Sequence, residues 1–167
     1  MKDINLENNS GFTLLLSVLV ASIILALGIS IFNILSWHVM ISDIGKQSQF
    51  AFYAADAGVD CALYHDYKKN LFSTTTANAP DKIHCFGDDY DVTANDIEDG
   101  CRQVFYMPVG SGAEPHCVEV TIEKVSVGSN LVETTLTSKG YNRGWSESND
   151  CSESFPRKIE RAVRLNY

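Results

Sequence analysis

Apolar positions run from residue 12 to residue 42 without a single charge, and the next charged side chain is Asp43. Runs above about 18 apolar residues read as membrane spans, and about 20 suffice to cross a bilayer. As a helix this stretch would be a rod of roughly 45 Å at about 1.5 Å per residue, so part of it extends past the hydrocarbon. Beyond Asp43 the pattern turns amphipathic. Ala51, Ala55, Gly58 and Ala62 recur at spacings of three and four, a narrow stripe of small residues suited to close packing against a sheet.

After Lys68 the helical pattern fades. Residues 70–80 are rich in Thr, Asn and Ala and end in Pro80, which predicts a loop. Residues 81–112 read as short, irregular and acidic, punctuated by Gly87, Gly100 and Gly110. Alternation then sets in: Val118, Val120 and Ile122 face one way and Glu119, Thr121 and Glu123 the other, the period of a half-buried strand. Gly128, Ser129 and Asn130 predict a turn, and residues 131–139 a second strand rich in β-branched side chains. A loop over residues 140–156 carries Trp145 and Cys151, and residues 157–167 form a last strand. The fold class is therefore α+β, a long N-terminal helix followed by a C-terminal antiparallel sheet. No repeat at solenoid periods is present. The part outside the membrane, about 120 residues, suffices for one core.

A cleavable secretory signal has a basic leader, an apolar core of about 7–15 residues and a small-residue cut site beyond it. Here Lys2 is outweighed by Asp3 and Glu7, and the apolar run is about twice too long. An uncleaved signal anchor carrying an external binding module is the second alternative, which hydropathy leaves open. The residues at the polar edge, Gly11-Phe12-Thr13-Leu14, distinguish the readings. They resemble the class III leader of type IV prepilins and type II secretion pseudopilins. Residues 50–64 are likewise similar to the A-x-x-A-A-E-A-G stretch of PilX-type minor pilins, with Asp56 where that pattern commonly has glutamate. Ser138-Lys139-Gly140-Tyr141 followed by Arg157-Lys158-Ile159-Glu160-Arg161 looks like the end of the same proteins.

The resemblance implies a leader over residues 1–11, a transmembrane and assembly helix over 12–42 and an extracytoplasmic pilin-like domain over 43–167. It implies cleavage after Gly11 by a prepilin peptidase and methylation of the new N-terminal Phe12. Glycine suits the cut because, lacking a Cβ, it lets the backbone enter a tight cleft. The implied partners are other pilin or pseudopilin subunits, the peptidase, the inner membrane assembly platform and membrane lipid. The chain would wait as a single-pass precursor in the cytoplasmic membrane before joining a cell-surface or extracytoplasmic filament. One position departs from the family: major pilins carry a glutamate four residues after the methylated phenylalanine, where this chain has Leu16. A carboxylate in hydrocarbon is costly, and in the family it meets the N-terminal amine of a neighbour. Leu16 thus implies a minor subunit that starts or caps the fibre. Ala21, Ser22, Ala26, Gly28 and Ser30 would allow close helix approach. Gly28 is also the expected point of bending, since glycine weakens a helix by about 1 kcal/mol.

Five cysteines, Cys61, Cys85, Cys101, Cys117 and Cys151, include no C-x-x-C pair, which disfavours zinc knuckles and thioredoxin-type sites. Scattered cysteines in an exported domain suggest disulfides, with Cys85, Cys101, Cys117 and Cys151 as candidates. Cys85 with Cys101 is the preferred bridge, closing a loop of about 16 residues worth about 3 kcal/mol in the chain-entropy model. Cys61, on the helix, reads as a small buried hydrophobe, and the odd count leaves at least one thiol unbridged.

The 167 residues carry a formal charge of −8, a poor basis for binding nucleic acid, which requires Lys and Arg against phosphate. Arg157, Lys158, Arg161 and Arg164 read instead as the solvated face of an edge strand. Asp88, Asp89, Asp91, Asp96, Glu98 and Asp99 would suit calcium by chemistry, but they lack the spacing and glycine of an EF-hand loop and are expected to be a solvated acidic loop. No cofactor or resident metal is expected. His38, His65, His84 and His116 are scattered, without an H-E-x-x-H or G-x-S-x-G pattern, so no catalytic residue is assigned and the expectation is a non-enzyme.

Overall fold

The computed structural model describes residues 10–110, 115–128, 131–145, 149–152 and 156–167. The leader as far as residue 9 and parts of two expected turns and loops lie outside these. One helix, α1 (Ser10–Lys69), precedes a 3-10 turn (Thr76–Asn78) and six strands. These are β1 (Lys82–Cys85), β2 (Asp88–Ile97), β3 (Gly100–Val109), β4 (His116–Ser126), β5 (Val132–Tyr141) and β6 (Glu160–Asn166). All pairs are antiparallel and the spatial order follows the sequence order, a simple meander. The fold is α+β, and one long N-terminal apolar helix with an antiparallel sheet is a pilin-like architecture. By contacts the chain divides into two compact units after Ile44.

In the second unit the C-terminal part of α1 lies on the sheet because its contact stripe is nearly bare of side chain. Ala51, Ala55 and Ala62 are fully buried. A Cβ on Gly140 of β5 would collide with the carbonyl oxygen of Ala51 and the amide nitrogen of Ala55. On the helix side, a Cβ on Gly58 would meet Ser138, Val118 and Val120. Ser138 then uses the proximity, its Oγ donating to the Ala55 carbonyl at 2.7 Å. The stripe read from the sequence is the packing face.

The sheet's inner face supplies the rest of the core: Phe105, Met107, Val118, Val120, Ile122 and Leu136 are wholly buried, with Phe72 stacked on Phe105 at 6.5 Å. The alternation expected in β4 holds, with Glu119 and Glu123 on the opposite face, paired to Lys139 and Arg102. α1 ends where Asn70 takes a left-handed conformation (φ 47°) and its amide returns to the Asp66 carbonyl at 3.1 Å, an αL cap. Lys68 and Lys69 sit in the last turn, where positive charge opposes the helix dipole.

Residues 81–110, the described part of the stretch expected to be irregular, differ from that expectation. Instead of irregular structure they form β1, β2 and β3. The period of two is present but obscured: β3 turns the polar Gln103 inward between Cys101 and Phe105, while Tyr106 and Pro108 take the other face. Gln103 Nε2 donates to the Ser73 carbonyl at 2.7 Å, while its Oε1 is buried without a hydrogen-bond partner. In β2 only Tyr90, Val92, Ala94 and Ile97 are partly covered, and acidic residues between them mask the pattern.

Candidate functional site

The first unit is dominated by the apolar part of α1. Gly11 and Phe12 are the second and third residues of the helix. Every side chain over residues 12–46 is exposed, Phe12 at 70% and Leu16 at 49%. The segment is long and apolar enough to cross a membrane. Its hydroxyls suit that solvent: Ser17, Ser22, Ser30 and Ser36 donate to the carbonyls of Leu14, Leu19, Ala26 and Phe32 at 2.8–2.9 Å. These four hydroxyl hydrogens are thus satisfied inside their own helix, as hydrocarbon demands. Gly28 has nothing within 4 Å of where a Cβ would stand.

In the second unit, polar side chains hold α1 to the sheet, with Asn142, which the sequence did not single out, at their centre. Buried Asn142, just past β5, donates through Nδ2 to Gln47 Oε1 at 3.1 Å and to the Arg157 carbonyl at 3.3 Å. Its Oδ1 accepts the amide of Ile159 at 2.7 Å, and His116 Nδ1 bonds its carbonyl at 2.6 Å. Phe50 stacks on the His116 ring at 5.2 Å. Arg161 reaches Ser48 Oγ at 2.8 Å and Lys158 lies 4.4 Å over the Tyr141 ring, so these two basic residues brace the fold rather than simply facing solvent.

At the other end of the docked helix, Asp66 is buried against Lys124 Nζ at 2.5 Å and accepts from the Tyr167 hydroxyl at 2.8 Å. Burial, and then the hydrogen bond and charge of Asp66, push the Tyr167 hydroxyl well above the ordinary phenol value. Removing the Asp66 charge would strand Lys124, because a half-exposed ion pair is cheap to lose but a buried one is not. A hint was available in the sequence: Asp66 falls on the same helical face as Ala62.

The cysteines correct the expected pairing. Cys61 bridges Cys85 with Cα atoms 6.0 Å apart, and Cys117 bridges Cys151 at 5.6 Å. Cys101 is the free thiol and is buried. The preferred Cys85–Cys101 bridge fails on register: Cys85 lies opposite Asp88 and Cys101 opposite Asp96, at the two ends of β2. At about 3.3 Å per residue that is a separation of roughly 25 Å. Cys61 is therefore a helix-to-sheet staple. Desolvation first, and then the charge of Asp96, raise the Cys101 thiol pKa, which makes it a poor nucleophile.

The acidic group falls on β2 and its ends rather than in a loop, and it is exposed as expected. Asp89 pairs with His84 at 2.8 Å and Asp91 with Lys82 at 3.6 Å, contacts of two exposed partners that contribute little. Among the described residues, one group has the composition and proximity to hold a metal ion: Cys61, His65 and Cys85. No known protein family, curated protein or solved structure matches this chain.

Proposed function

We infer that the chain is a minor type IV pilin or type II secretion pseudopilin, a non-catalytic structural subunit that starts or caps a fibre. The observation that carries the reading is the division of labour along α1. Its C-terminal part is sealed to the sheet through a small-residue stripe. Its apolar N-terminal part leaves every side chain over residues 12–46 exposed. A surface of that extent needs a second solvent: lipid before assembly and neighbouring helices after it.

Gly11-Phe12 at the polar edge supports processing by a prepilin peptidase, and Leu16 supports a low-copy position. A subunit without a carboxylate there makes no charge pairing with a neighbour's N-terminal amine, so it suits the end of a fibre better than its repeating shaft. The test is shearing of surface fibres from cells that carry a tagged chain. A small amount of the tagged chain should sediment with the fibres, and a Gly11→Val variant should stay in the membrane. A wild-type chain confined entirely to the membrane would instead support an uncleaved anchored binding module.

A further inference from the structure

Cys61 and His65 are one helical turn apart on α1, so both project from the same face. Cys85 closes β1 opposite them. A ring nitrogen of His65 and the two sulfurs lie within 4.8 Å of one another. All three side chains are buried: Cys61 is 8% exposed, His65 4% and Cys85 3%.

The bridge accounts for the two sulfurs but not for the histidine. His65 Nε2 lies 2.8 Å from the carbonyl oxygen of His84. A carbonyl only accepts, so Nε2 carries the proton and, in the neutral ring, Nδ1 presents a lone pair. Nδ1 is buried and has no hydrogen-bond partner. An orphaned acceptor in a dry core is destabilising, and it calls for a ligand. A ring whose far N–H is fixed by a backbone carbonyl is also the arrangement that orients histidine toward a metal.

We propose that, when the Cys61–Cys85 bridge is open, Cys61 Sγ, Cys85 Sγ and His65 Nδ1 form a binding site for cuprous ion. Two thiolates are soft donors suited to Cu(I) or zinc, and an imidazole binds either metal, so coordination number decides between them. Zinc in a structural site takes four ligands in a tetrahedron, and of the two carboxylates adjacent in sequence Asp60 is exposed while Asp66 is already engaged by Lys124 and Tyr167. Metal–sulfur bonds of about 2.3 Å hold two thiolates roughly 4 Å apart, so the sulfurs must separate before the ion can enter. The bridge therefore excludes the metal, and the metal excludes the bridge.

The chemistry balances with a dithiol as reductant: its two sulfurs become a disulfide while Cys61 and Cys85 become thiols. Cuprous ion then displaces both thiol protons and takes the His65 lone pair. The newly made chain, with its thiols not yet oxidised, reaches the same state without a reductant. The site does not depend on the fibre role.

The experiment uses the full chain in detergent, reduced anaerobically with a water-soluble phosphine, which is oxidised to its oxide as water supplies the thiol protons. Cu(I) is then titrated against a chromogenic chelator. The reduced chain should hold a tight Cu(I) that the oxidised chain lacks, and X-ray absorption should show sulfur and nitrogen neighbours in a 2:1 ratio. Cys61→Ser should weaken that binding by at least about 100-fold, and His65→Gln by about 10–100-fold, whereas Cys117→Ser should leave it unchanged. Equal binding by oxidised and reduced chains, or neighbours that are sulfur alone, would overturn the proposal. The absorption spectrum of the wild-type chain decides even if a variant fails to fold.

Discussion

Single atoms decide the contact between α1 and the sheet. Since a Cβ at Gly140 would run into the helix backbone, Gly140→Ala should destabilise the chain by about 1–3 kcal/mol, the usual cost of overpacking. Chemical denaturation followed by tryptophan fluorescence would measure it. Gly28→Ala, with nothing near it, serves as the contrast and should leave the midpoint unchanged or raise it slightly. The Asp66–Tyr167 contact adds a pH dependence. The native state raises the Tyr167 pKa above the phenol value of about 10, so above that pH the unfolded chain binds fewer protons than the native one. The stabilisation is complete below pH 10 and is lost as pH rises through the raised native value. Tyr167→Phe should therefore cost about 1–2 kcal/mol at neutral pH and flatten the fall in stability above pH 10, read from melting temperatures across that range. Tyr141, raised by burial and by Glu119 and Glu160, should preserve part of the slope.

The elements divide into those whose pattern survives in local sequence and those whose pattern depends on distant partners. The apolar run, the small-residue stripe and β4 are legible because burial repeats at 3.6 or 2 residues with side chains of matching chemistry. β2 and β3 are not, since Gln103 points inward and depends on Ser73 for its partner, while in β2 acidic residues stand between positions that are themselves only half covered. Cysteine pairing is also illegible, because it follows from the register of β1 and β2 and from where α1 crosses them. The clamp at Asn142 and the Asp66 network join residues about 100 apart in sequence, which no window contains. The Cys117–Cys151 bridge ties the start of β4 to the segment before β6 across 34 residues. Its loss through Cys117→Ser should lower stability by about 3–4 kcal/mol, checked by denaturation with the other bridge intact.

The molecule as a whole combines an apolar helical segment that its own fold leaves uncovered with a sheet domain braced by two disulfides. The brace and the bare segment serve one proposed end: a rigid external domain carried by a helix that can exchange lipid for neighbouring helices. Processing at the polar edge of that helix is decisive for this reading, and mass spectrometry of the mature N-terminus measures it. The mature chain should begin at Phe12 and carry one extra methyl group on its amine. An intact Met1, or a cut beyond Ala26, would contradict it.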